Sequence, residues 1–386
     1  MKKISPTPTL PHREGVANRI RSYRNNSAPS LWGRVGVGLL CLALFGCIEP
    51  YDAKLENIDS ILVVEGFITS GTTQINLSKS IGVNDNYWNY YQWVNGKYVN
   101  TLVVDHAIVY VECDDGTQSE KAHSSGEGIY LIETGELNVN AKYRLAIHMD
   151  DEVYHSSYIA PAISPPVELS YRINYHYFIN QKNEPDSTIY YTDVLVSTQG
   201  YEHQPGYYLW SYKEDWEIHD LFGYDICWRK DSSRVFLLGS TEKLIDNTIR
   251  DHTLLNIWGD DNRVSQYYRM QVKQNTIHKE AYDYFNNQKK NSEKTGSIFG
   301  VIPSELMGNI KCTSNPAIFV IGYVDVSTTT TNELFLDREC FNPQYENSQR
   351  MACYNEEDGS ISPSCLDCTQ RGGTKNKPKD WPNDHY

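Results

Sequence analysis

The sequence predicts a mainly-β protein, a small sandwich followed by a second β-rich domain that carries one packed helix. Three observations predict it. Tyr (29) and Trp (8) are abundant while Met is scarce (5), a composition that suits strands and amphipathic surfaces. Short apolar segments alternate at period two and are separated by turn residues. A single window shows the 3.6-residue period of an amphipathic helix.

The chain has 386 residues, enough for one to two folded domains with appendages. Lys and Arg total 35 against 49 Asp and Glu, a net charge of −14. That sign opposes binding to the phosphate backbone, so no nucleic-acid partner is expected.

Residues 1–46 read as a signal peptide with an atypical polar extension. Residues 35–46 are an apolar run preceded by Arg34 and followed by Cys47. A spanning helix needs about 20 apolar residues, so the run suits a secretory signal better than a span. Leu44-Phe45-Gly46-Cys47 resembles the lipobox of bacterial lipoproteins. By that resemblance Cys47 is acylated, becomes the mature N-terminus and anchors the chain in a lipid bilayer. The leader holds seven Lys or Arg and one Glu, so the remainder carries 28 basic and 48 acidic residues. Anchoring then has to come from lipid, because such a surface repels anionic head groups.

Residues 47–161 are expected to form the N-terminal β-sandwich, of immunoglobulin-like or transthyretin-like type. Strands are expected at 60–68, 74–78, 107–112, 128–132 and 143–148, with Asp114-Asp115-Gly116 as a hairpin turn. Between them, Tyr87, Trp88, Tyr90, Tyr91 and Trp93 crowd into seven positions, too dense for one strand face. They read as a loop that either contacts a ligand or partner or folds back on its own sandwich.

Pro161, Pro165 and Pro166 mark the boundary to a second domain, 162–345. Strands are expected at 168–177, 189–198, 207–215, 224–229 and 234–238, and a buried one at 316–325. Ile277, Ala281, Tyr284 and Phe285 place a helix within 276–290.

Residues 346–386 form a Cys-rich tail with too little apolar content for its own core. Cys340, Cys353, Cys365 and Cys368 are candidate disulfide partners, with zinc the weaker reading because only Cys365 and Cys368 form a close pair. Asp260-Asp261-Asn262 could contribute to a structural calcium site, but reads first as a solvated turn, and no cofactor is expected. No zinc-protease, nucleophile-elbow or phosphate-loop motif is present, so the chain is not expected to be an enzyme.

Several fragments share one resemblance. The start at 47–52, Leu62 to Ile68, Tyr282-Asp283-Tyr284-Phe285, Gly308-Asn309-Ile310, Asn315-Pro316 and the ending from Cys365 to Trp381 resemble domain-of-unknown-function family 4249 of Bacteroidota lipoproteins. The resemblance implies a lipid-anchored outer-membrane protein facing the cell surface, commonly encoded beside a TonB-dependent transporter. It supplies no catalytic residues. The function expected is that of a binding or accessory partner of such a transporter in nutrient uptake. The alternatives are a structural or adhesive envelope module and, ranked last, a surface hydrolase.

Overall fold

The computed structural model describes residues 61–81, 90–94, 97–179, 185–201, 204–220, 222, 224–259, 261–264, 266–293, 308–337, 340–341, 353 and 358–382. These lie within one compact unit, Asn57–Tyr386. The fold is mainly β, as expected.

Two sheets enclose the first core. One contains β1 (Leu62–Thr69), β2 (Gly71–Lys79) and β6 (Ile129–Gly135), joined antiparallel. The other contains β5 (Ile108–Cys113), β7 (Tyr143–Met149) and β8 (Glu152–Ser156), with β5 and β8 flanking β7. Period-two burial builds both. In β2, Thr73, Ile75 and Leu77 are buried while Gln74 is exposed. Ile68, Ile75, Ile132, Leu145 and Ile147 meet between the sheets, each contributing about 1.5–3 kcal/mol by leaving water. The Asp114-Asp115-Gly116 turn forms as expected: the Asp115 carboxylate accepts from Thr117 N–H at 2.8 Å. A separate hairpin pairs β3 (Tyr91–Val94) with β4 (Lys97–Asn100).

The second core lies between another pair of sheets. β9 (Val167–Ile179), β10 (Pro185–Gln199) and β14 (Thr248–Trp258) form one, with β10 central. β12 (Ile226–Ser232), β11 (Tyr207–His219), β15 (Tyr268–Thr276) and β19 (Thr329–Leu336) form the other in that order, and β13 (Leu237–Ser240) also pairs with β11. Val194, Val196 and Ile257 from the first of these sheets meet Trp210, Ile218, Met270 and Val272 from the second.

Three late strands return to the first sandwich. β16 (Ile310–Cys312) extends the sheet at β8, while β17 (Val320–Gly322) and β18 (Asp325–Ser327) run parallel to β1. These residues fall inside the expected 162–345 domain, so a cut at Pro161 separates the two cores only on the first pass of the chain. The single buried strand expected at 316–325 is instead two short ones, broken where Gly322 takes φ +142°.

The helix α1 spans Lys279–Glu293, three residues later than expected. Its start is set by β15, which continues to Thr276, and by Asp325, whose buried carboxylate accepts from His278 N–H at 2.8 Å. Ala281, Tyr284 and Phe285 turn inward together with Ile277. Their partners are Phe67 and Tyr323 from the first sandwich and Tyr207, Leu209 and Phe236 from the second. α2 (Pro363–Leu366) is a single turn in the C-terminal segment.

Candidate functional site

A cavity of about 340 Å³ opens where β1, β11, β17 and α1 meet. Gly66 and Gly322 keep its floor close-packed. A Cβ on Gly66 would stand 2.4 Å from Gln74 O, and one on Gly322 would stand 2.1 Å from Val64 O. Polar groups line the same cavity. Tyr284 is buried, and its hydroxyl accepts from Gln288 Nε2 at 2.8 Å. Burial and then the Glu65 charge push the Tyr284 phenol up to about 12, with a backbone hydrogen bond at Gly322 opposing. Burial, Asp325 and Glu280 likewise raise Tyr323. Both phenols are therefore neutral hydrogen-bonding groups at physiological pH. With Glu65, Arg234 and Ser211 on the same wall, the cavity can hold a small polar ligand over an apolar floor.

One cluster has the residue types of a catalytic relay without its geometry. His155 Nδ1 lies 3.0 Å from Thr313 Oγ1, and Nε2 lies 3.8 Å from Glu112. The Glu112 carboxylate is instead engaged by Arg144 at 2.6 Å and Gln118 at 3.0 Å. The Thr313 hydroxyl also reaches Val153 O at 3.1 Å, so its proton has a backbone acceptor as well as His155, and Glu112 is turned to other partners and not to the imidazole.

Of the expected aromatic loop, Tyr87 and Trp88 lie outside the described residues. Tyr91 and Trp93 belong to β3, which corrects the loop reading. Tyr91 and Trp93, two residues apart, share one face of the strand, where Trp93 pairs opposite Tyr98 with ring centroids 4.7 Å apart. Both rings remain exposed, at 64% and 70%. Tyr90 precedes the strand, and its carbonyl accepts from Thr101 N–H at 2.8 Å.

A larger aromatic surface was not anticipated. Tyr171, Ile173, Tyr175 and Tyr177 alternate along β9 and are all exposed. The Tyr175 ring lies 4.9 Å from that of Tyr177 and 6.2 Å from that of Tyr190 on β10. On the other face the His176 and Phe178 rings approach to 4.9 Å. Towards the β9–β10 connection, both faces of the ribbon carry rings. The signal is the uninterrupted alternation of apolar residues through 171–177, within the strand expected at 168–177, whose burial the alternation alone does not fix.

One disulfide is long-range and the other local. Cys227 bonds Cys368, and Cys353 bonds Cys365. Cys340 is a free thiol that donates to Asp337 Oδ1 at 3.3 Å, which corrects its assignment as a disulfide partner. The zinc alternative also falls, since Cys365 and Cys368 serve separate disulfides. Asp225 and Asp367 lie near Cys368 at metal-ligand spacing, but that sulfur is bonded to Cys227 and Asp225 pairs with Lys375 at 2.7 Å. Cys47 and Asp260 lie outside the described residues. Asp261 accepts from Arg263 Nη2 at 2.7 Å, and Asn262 opens a helical turn through Val264.

Fold and surfaces thus define a disulfide-linked protein of two β-sandwiches with a cleft lined by apolar and polar side chains and exposed aromatic ribbons. The chain belongs to the family described as Domain of unknown function (DUF4249), whose model matches residues 48–333. No curated protein matches the chain. No helix among the described residues is long and apolar enough to cross a membrane.

Proposed function

We propose that the protein is a non-catalytic, lipid-anchored outer-membrane protein that faces the cell surface and partners a TonB-dependent transporter in nutrient uptake. The exposed aromatic ribbon of β9 and β10 carries the reading. Contiguous exposed rings are the composition of a protein-binding hot spot, and in a chain of net charge −14 they add nothing to solubility. The cleft beside α1 is of a size for a small nutrient on its way to the transporter. Acylation of Cys47 would supply the anchor, with about 0.8 kcal/mol per buried methylene and more than one chain needed for stable attachment.

Affinity capture from detergent-solubilised membranes tests the partnership. The full chain is expected to recover a β-barrel transporter, identified by mass spectrometry. A Tyr175→Ser/Tyr177→Ser variant, with unchanged melting temperature, is expected to lose it. Recovery of no barrel protein under mild detergent overturns the reading. For the anchor, Cys47→Ser is expected to leave the membrane fraction, and its continued sedimentation with membranes counts against lipidation.

A further inference from the structure

The C-terminal segment is strapped across one sheet of the second sandwich. The Cys227–Cys368 disulfide fixes one end, and Trp228 and Thr374 exchange backbone hydrogen bonds of 2.8 and 2.9 Å. The other end is held by Arg269, whose guanidinium donates to Lys379 O at 3.2 Å and lies 5.4 Å from the Trp381 ring. Between these pins the strap arches, leaving a cavity of about 670 Å³ against β11, β12 and β15.

The lining of this cavity is basic in a chain of net charge −14. Arg229 and Lys230 come from β12, Arg269 from β15, and Lys377 and Lys379 from the strap. Two carboxylates share the space. Asp215 is engaged by Arg269 at 2.8 Å, which leaves Asp380 against the remaining cations. Among the described residues, Arg229, Lys230 and Lys379 have no carboxylate partner within salt-bridge distance. Arg229 instead lies over the Trp216 ring, its guanidinium 5.3 Å from the centroid.

Two further donors lie in the same wall. Arg269 Nε and Trp228 Nε1 are buried with no hydrogen-bond acceptor among the described residues, on side chains belonging to residues only 4% and 9% exposed. Neither N–H is open to the cavity itself, but with no acceptor beside them both leave the wall behind it electropositive. We infer that the hollow under the strap binds a tetrahedral oxyanion, a phosphate or sulfate group, whose several oxygens match cations arriving from separate elements. Guanidinium and ammonium groups form the stronger, charge-assisted hydrogen bonds to such oxygens. The site is independent of the transporter partnership and of the cleft beside α1.

Titration calorimetry of the full chain in detergent at low salt tests it, with inorganic phosphate and glycerol 3-phosphate as probes. Saturable binding that weakens with added sodium chloride is expected. Lys230→Glu/Lys379→Glu is expected to weaken it by about tenfold or more. Lys142→Glu, an exposed charge reversal in the first sandwich, is expected to leave it unchanged. Glycerol 3-phosphate binding alone would assign a lipid headgroup and inorganic phosphate alone the free anion; either supports the site. Absence of saturable binding by both probes overturns it. So does equal binding by the double variant, whose melting temperature reports that it is folded.

Discussion

At Gly322 the chain adopts φ +142°, a conformation open in practice only to glycine, while β17 passes against β1. Its added Cβ would fall 2.1 Å from a backbone oxygen, which cannot move without opening the sheet. Gly322→Ala is therefore expected to destabilise the fold by about 2–4 kcal/mol, measured by urea unfolding. Three residues later, Asp325 is fully buried and accepts from both His278 N–H and His278 Nδ1 at 2.8 Å. The hydrogen bond to Asp325 raises the His278 pKa above its ordinary 6.5, against the opposing effect of burial. A raised folded-state value means that the pair's stabilisation is fully present below about pH 6.5 and is lost as pH climbs through the folded value. Urea midpoints across pH 5.5–8.5 should show that decline in the wild type. Asp325→Asn should be less stable at the acidic end and should flatten the decline; an unaltered profile would remove this pair from the stability account.

The strap shows what a single covalent element can do for a segment with little apolar content. Cys227 and Cys368 are 141 residues apart, so their bond removes about 4–5 kcal/mol of chain entropy from the unfolded state by the loop-closure model. Replacing both with Ser is expected to lower unfolding stability by about 3–5 kcal/mol. The Cys353–Cys365 link spans only 12 residues, and its loss should cost less. Paired urea titrations of the two double variants check the order. This pairing was illegible in sequence because connectivity is set by the fold: the close Cys365 and Cys368 suggested a local cluster, whereas β12 carries Cys227 to the strap. Alternation made β1, β2, β7 and β10 readable. β19 escaped because its middle residues Thr331, Asn332 and Glu333 are exposed and polar on an edge strand. The β3–β4 hairpin is marked in the sequence by Asn95-Gly96, a two-residue turn signal, but its four-residue strands are too short and ring-rich to show a period of two. The cleft beside α1 had no sequence signature, since β1, β11 and β17 contribute to it from distant parts of the chain.

Across the molecule the two sandwiches are joined by chain crossing as well as by packing. The segment from β16 to β18 leaves the second sandwich to complete the first, then returns as β19. At the seam sits Phe285, with its ring 5.7 Å from Phe67 of the first sandwich and 5.2 Å from Phe236 of the second. Both sandwiches thus contribute to one apolar cluster, separate from their own cores, that is built around α1. Unfolding either sandwich strips α1 of half its partners, so the wild type should melt in a single calorimetric transition. Removing the shared ring weakens the coupling more than it weakens either core, because the residues within each core keep their own neighbours. Phe285→Ala is expected to cost about 3–5 kcal/mol and to resolve the melt into two overlapping transitions. By contrast Leu145→Ala, deep in the first sandwich, should cost about 2–5 kcal/mol. Its first effect should be an earlier loss of the first sandwich, with the second following in the same transition while the seam is intact. A single undivided transition in the Phe285 variant would show that the crossing strands alone couple the two halves.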